Sequence, residues 1–157
     1  MREVMRTEQF VTNSAEETIA LGRELAPRLR DARIVLLRGD LGAGKTTMVK
    51  GIAEAFEAAE QENVTSPTFT LVHEYRGPER CLFHIDLYRI ETPRELATLG
   101  LEELSDEQGN ILLIEWGEKF ERLRSECNVE IVIERLSDEQ RRFTVGYGAS
   151  LAAEPNS

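Results

Sequence analysis

The sequence predicts an α/β domain on a mixed sheet, parallel around one strand–loop–helix unit and antiparallel in its hairpins. Three observations carry that prediction. A short aliphatic run, Ile34 to Leu37, leads into a glycine-rich turn, and Met48, Val49, Ile52, Ala53 and Phe56 follow it at helical spacing; strand, turn and helix in that order make a parallel-sheet unit. Two pairs of alternating segments, Phe69–Tyr75 with Cys81–Tyr88 and Val129–Arg135 with Phe143–Tyr147, are each joined by a short polar turn, the pattern of antiparallel hairpins. A further apolar run, Ile111 to Ile114, reads as a buried strand.

The remaining elements follow in order. Val4, Met5, Phe10 and Val11 place an edge strand between Glu3 and Thr12. Ser14 and Glu17 have capping-box spacing, and Ile19, Leu21, Leu25 and Leu29 continue as a helix from about Ala15 to Arg30. Pro27 should kink or shorten that helix. Asn63 to Thr68 is a loop, because Ser66 before Pro67 must be extended. Thr92 and Glu95 open another helix with Pro93 at its first position; it ends near Gly100, and Leu101 to Leu104 begin the next. Glu118 to Arg124 reads as a short helix. Residues 1–148 are expected to form one domain, and the tail from Ala149, without apolar pattern, is expected to be disordered.

Composition narrows the class. At 157 residues, 41% hydrophobic and 31% charged, the chain suits a single soluble domain with a proper core. Its apolar runs are far too short to span a membrane, and MREVMRTEQF lacks the apolar region of a signal peptide. Cys81 and Cys127 stand singly in strand-like stretches, without metal or disulfide spacing. Reduced thiols in a cytoplasmic protein are expected. With 29 acids against 19 bases, the net charge of −10 opposes direct, tight binding to nucleic acid.

The glycine-rich turn carries the chemistry. Gly39 to Thr46 satisfies G-x-x-x-x-G-K-[ST] in full, between a strand and a helix. Gly39, Gly42 and Gly44 let the backbone take positive φ and approach phosphate oxygens closely. Backbone N–H groups and the positive end of the following helix then receive the anion. Lys45 supplies a mobile cation, and the Thr46 hydroxyl a ligand for Mg²⁺. The expected nucleotide contacts are Asp40, Leu41, Gly42, Ala43, Gly44, Lys45, Thr46 and Thr47. The fold expected around such a loop is a three-layer P-loop NTPase-like domain.

Such a site needs a carboxylate at the end of a neighbouring strand to hold Mg²⁺ or its water. Glu115, after the run ILLI, is the cleaner candidate; the alternative is a strand-end surface acid. Asp86 is the second candidate, inside the strand LFHIDLY, where an outward-facing strand residue is equally open. Ser66 to Thr68 lies where phosphate-loop proteins keep a segment that senses the γ-phosphate, although turn chemistry alone also selects Ser and Pro. Trp116, the only tryptophan, falls beside Glu115. His73 and His84 read as ordinary strand residues, since no third ligand accompanies them.

GDLGAGKTT, SPTFTLVHEY, HIDLYR and LLIEWGEKF, in this order and spacing, resemble the bacterial TsaE (YjeE) family, over about Phe10 to Tyr147. The resemblance implies a small P-loop ATPase of tRNA threonylcarbamoyladenosine formation, with ATP and Mg²⁺ as ligands. It implies Lys45 on the phosphates, Thr46 and Glu115 at the metal, and Asp86 as a further catalytic acid. It also implies the TsaB–TsaD pair as protein partners, with tRNA reached only through them. Three rivals compete with it. A small-molecule kinase needs an arginine-rich lid, for which only Arg76 and Arg80 offer themselves; a GTPase needs N-K-x-D, which is absent. A binding module without turnover is opposed by the intact Lys45, Thr46 and Glu115.

Overall fold

The runs read from the sequence become seven strands, five α-helices and a short 3-10 turn at Gly117–Lys119 among the described residues, which are 4, 6–40, 44–60, 63–64 and 71–148 of a computed structural model. The strands are β1 (Arg6–Thr12), β2 (Ile34–Arg38), β3 (Val72–Arg76), β4 (Cys81–Asp86), β5 (Asn110–Glu115), β6 (Val129–Arg135) and β7 (Arg141–Tyr147). The helices are α1 (Ala15–Leu29), α2 (Lys45–Ala55), α3 (Pro93–Ala97), α4 (Leu101–Asp106) and α5 (Glu121–Glu126). One sheet holds all seven strands in the order β1-β7-β6-β2-β5-β4-β3.

The four inner strands β6, β2, β5 and β4 run parallel. β7, β1 and β3 complete the two sides antiparallel. Composition follows position. Every residue of β5 and the first four of β2 are buried, as parallel strands covered on both faces must be. β1 alternates half-buried and exposed up to a buried Thr12, as an edge strand with one solvated face does.

Two cores make the three layers. Leu25, Met48 and Ile52 pack with Leu37, Leu113 and Phe143 on the α1–α2 face. Leu36, Ile85 and Ile114 pack with Leu96, Leu101 and Leu123 on the face of α3, α4 and α5. α1 and α2 meet at two glycines. A Cβ on Gly51 would stand 2.0 Å from the Ile19 carbonyl oxygen, and one on Gly22 2.4 Å from that of Met48. Gly51 thus weakens α2 locally, and in exchange lets the phosphate-loop helix press backbone to backbone against α1.

The structure corrects several element boundaries. β4 stops at Asp86, short of Tyr88, because the Asp86 side chain captures the Tyr88 N–H at 2.8 Å and turns the chain. α1 ends at Leu29, two residues after Pro27. Cys127 lies at the end of α5, outside any strand, and both cysteines are free thiols. Burial pushes the Cys81 thiol up to about 11, which keeps it protonated. Phe69, Thr70 and the tail from Ala149 lie outside the described residues. Among the described residues no helix is long and apolar enough to cross a membrane.

Candidate functional site

Parallel strands bring their C-terminal ends to one edge of the sheet, the edge where open α/β sheets bind ligands. β2 delivers Gly39 there, β4 delivers Asp86 and β5 delivers Glu115. α2 starts at the same edge. Its N-cap is Gly44, at φ 113° and ψ 16°, a left-handed conformation that glycine adopts without strain. Among the described residues no side chain caps the helix, and no acid lies in its first turn. The head of α2 therefore keeps its positive end for an anion.

Lys45 opens α2 and is buried, with 7% of its surface exposed. Its Nζ donates to the Gly39 carbonyl at 2.7 Å and stands 3.4 Å from Glu115 Oε1. It also lies 5.4 Å above the Trp116 ring, close enough for cation–π attraction. Trp116 holds that pose through a left-handed backbone, φ 65°, and Tyr88 packs edge-on against it at 5.3 Å. Thr46 and Thr47 follow on the first turn of α2, both half-buried, while Asp40 is exposed.

Glu115 is the last residue of β5 and is 5% exposed. Its Oε2 accepts from His84 Nε2 at 2.6 Å. Burial pushes the Glu115 carboxyl up, but the His84 hydrogen bond and the charge of Lys45 hold it below the usual carboxylate range. Asp86 pairs directly with Glu115 in the parallel register, and 3% of it is exposed. It therefore lies at the end of β4 and is buried, which removes the outward-facing alternative.

The structure thus brings together Gly44, Lys45, Thr46, Asp86, Glu115 and Trp116. Leu41, Gly42, Ala43 and the Ser66–Thr68 segment lie outside the described residues. Two residues escaped the sequence reading. By pattern His84 and His73 both read as ordinary strand residues; among the described residues His73 bonds locally, to the Tyr75 hydroxyl at 3.2 Å, whereas His84 is fully buried against Glu115. The signal was its place two residues before Asp86, on the same face of the strand. The other is Arg141, whose Nε lies 3.9 Å from where a Cβ on Gly44 would stand. Nothing local in the sequence announces it, because β7 joins the site through β6.

The donor chemistry fits Mg²⁺ and a nucleotide. Glu115 and Thr46 offer hard oxygens, and among the described residues no group of three or more His, Cys, Asp and Glu could hold a metal alone. A cation here would complete its shell with phosphate and water oxygens, as Mg²⁺ does. Arg76 and Arg80 cannot act as a lid over this edge. They flank the β3–β4 turn at the opposite end of the strands, where Arg80 Nε donates to the Arg30 carbonyl at 2.9 Å.

Known proteins resemble this chain in sequence and fold. The sequence model described as threonylcarbamoyl adenosine biosynthesis protein TsaE matches residues 12–143. A tRNA threonylcarbamoyladenosine biosynthesis protein TsaE of Rickettsia bellii is 39% identical over 137 residues, covering 87% of this chain and 93% of that one. The protein of the same name from Bacillus subtilis is 38% identical over 140 residues, covering 89% and 85%. The crystal structure of Bacillus subtilis YdiB superposes with a TM-score of 0.70 at 28% identity, covering 99% of this chain and 97% of that one. A match that runs from the end of β1 into β7 takes in every strand end of the site, and the chain belongs to the TsaE family of tRNA threonylcarbamoyladenosine biosynthesis.

Proposed function

We propose that this protein binds ATP with Mg²⁺, hydrolyses it slowly alone, and acts by nucleotide-dependent association with the TsaB–TsaD pair, in the cytoplasm. The observation that carries the reading is Lys45 held between the Gly39 carbonyl and Glu115 at the head of an uncapped helix. Lys45 and Glu115 are paired with each other, and with nucleotide bound Lys45 would turn to the phosphates and Glu115 would help hold the cation. Lys45 then neutralises charge that grows on the γ-phosphate, and the α2 amides hold the neighbouring oxygens. Thr46 and Glu115 are the residues that would hold Mg²⁺, which when bound spreads the phosphate charge. Asp86, level with Glu115 on the next strand, would be the further catalytic acid; its pairing with Glu115 supports that reading.

Slow intrinsic turnover is the expectation, because Arg141, whose Nε approaches Gly44, is engaged by the turn between β6 and β7. Arg141 Nη1 donates to the carbonyls of Ser137, Asp138 and Gln140 at 2.8, 3.2 and 3.0 Å. A finger supplied by a partner is worth ~10³–10⁵ in rate where one exists. The net charge of −10 supports an indirect route to tRNA, through the partner complex.

The test is capture of the TsaB–TsaD pair with ATP, with ADP and without nucleotide, alongside phosphate release. Association should depend on the nucleotide, and the partners should raise release. If association ignores the nucleotide and release is unchanged by the partners, the partner-coupled reading fails. Submicromolar binding of the isolated chain to tRNA at ~150 mM salt contradicts the indirect route.

A further inference from the structure

We propose that His84 is a positioning residue for Glu115: its Nε2–H fixes one carboxylate oxygen so that the other faces the phosphate and metal side of the site. The inference rests on the nucleotide reading above. Glu115 has three rotatable bonds, and its usefulness depends on which oxygen points at Lys45. His84 decides this. Its ring is fully buried on β4, and Nε2 donates to Oε2 at 2.6 Å. Oε1 is then the oxygen left for Lys45, 3.4 Å away.

Sheet geometry explains how the pair forms. Asp86 is paired with Glu115 across β4 and β5, and His84 is paired with Leu113. His84 therefore sits diagonally behind Glu115 on the same face of the sheet, within reach of a long side chain. The residue type matters too. An arginine in this place would present a fork that engages both carboxylate oxygens. An imidazole nitrogen takes one and leaves one.

A purely structural buried histidine would have both nitrogens satisfied. Among the described residues Nδ1 of His84 has no hydrogen-bond partner, so within them the ring is tied into no other polar network. Its whole polar commitment among the described contacts is to Glu115. Ordering Glu115 before the ligand arrives removes the need to freeze its rotamers at the moment of binding. Partners behind a metal-binding carboxylate act in this way, and their loss typically costs ~10–100-fold in metal affinity or activity.

The test compares His84→Leu, which removes the donor, with His84→Gln, which keeps an N–H close to the position of Nε2. Calorimetry measures ADP affinity without and with Mg²⁺, and turnover is followed against Mg²⁺ concentration. For His84→Leu the metal-free ADP affinity should stay within about twofold of wild type. The gain in affinity that Mg²⁺ brings should fall, and the Mg²⁺ concentration for half-maximal turnover should rise about tenfold or more. His84→Gln should recover most of both. In a nitrogen-labelled imidazole spectrum the wild type should show a slowly exchanging low-field Nε2 proton, shifted in Glu115→Gln. The double variant His84→Leu/Glu115→Gln should be no worse than Glu115→Gln, because His84 acts only through that carboxylate. If wild type turns ATP over and His84→Leu matches it throughout, the positioning role is wrong and the nucleotide reading stands. Additive losses in the double variant, or a folded His84→Gln as impaired as His84→Leu, also overturn it. If wild type neither binds ADP nor releases phosphate, the nucleotide reading fails first and takes this one with it.

Discussion

Two glutamates, Glu8 and Glu115, sit among several donors each, and they serve different ends. Glu8 on β1 receives Arg28, the Tyr147 hydroxyl at 2.8 Å and Arg6 at 3.1 Å. Arg6 also lies over the Tyr147 ring at 5.3 Å. These contacts join β1, α1 and β7 and close on themselves. Glu115 has fewer partners, and one of them, Lys45, is a flexible cation at the head of an uncapped helix. The number of donors does not separate a lock from a site. What separates them is position: Glu8 belongs to an edge strand, whereas Glu115 ends a parallel strand beside a left-handed glycine. A lock consumes its charges, while a site holds them in pairs that a ligand can exchange.

The largest effect should come from Lys45→Ala. It removes the cation from the phosphates, and turnover should fall by ~10²–10³-fold. Phosphate release measures this, with circular dichroism to show that the variant is folded. Full activity would break the assignment of Lys45.

Next come the two glutamates compared directly. Glu115→Gln keeps shape and loses charge; turnover should fall ~10–100-fold and the Mg²⁺ requirement should rise. Glu8→Gln should leave turnover within about twofold of wild type and cost about 1–2 kcal/mol of stability in urea unfolding, as lost bonds to charged groups do. If Glu8→Gln impairs turnover as much as Glu115→Gln, the distinction between lock and site collapses.

The sequence showed one side of this contrast far better than the other. Lys45, Thr46 and Glu115 were legible because strand, glycine-rich loop and strand-end acid are local patterns with a known geometry. The hairpins were legible from alternation, and the three layers from the fold expected around such a loop. Asp86 was ambiguous, since alternation cannot tell the last residue of a strand from an inner one, and its own side chain ends β4. His84 was passed over because its role depends on β4 lying parallel to β5, a pairing between segments far apart in sequence. The Glu8 cluster was invisible for the same reason: its members come from β1, α1 and β7. Local chemistry is written locally, and the groups that orient it come from other strands.

A smaller effect appears in acid. Burial pushes the Glu115 carboxyl up, and His84 and Lys45 more than offset this; burial pushes Glu8 up too, and Tyr147, Arg6 and Arg28 more than offset it. Both end below the ordinary value of 4.5. A carboxyl whose folded value is depressed stabilises the fold above its unfolded value, and that stabilisation is lost as pH falls through the folded value. Wild type should therefore lose stability as pH drops below about 4.5. Each Glu→Gln variant should start less stable at pH 7 and lose less on acidification. Urea unfolding at several pH values measures the slopes. A Glu115→Gln slope equal to that of wild type would show that Lys45 and His84 do not hold this carboxyl ionised.

The smallest expected effect concerns Arg141, which shares features with both regions. It opens β7, the strand that carries Tyr147 of the lock, yet its Nε approaches the position of a Gly44 Cβ to 3.9 Å. Its Nη1 donates to three turn carbonyls, and with the nucleotide bound as proposed this anchored cation would add positive potential beside the phosphates. Arg141→Ala should weaken ATP binding by about threefold to fivefold, the scale of one partly solvated charge interaction. The ratio of turnover at saturating ATP to that of wild type should stay within about twofold, because a fixed charge acts on bound and reacting nucleotide alike. Raising salt should narrow the difference in affinity, since screening weakens exposed charges most. Titration of ATP at two salt concentrations, with turnover at saturation, checks all three. A collapse of turnover at saturating ATP would instead make Arg141 a finger supplied by the chain itself, and slow intrinsic hydrolysis would then need another cause.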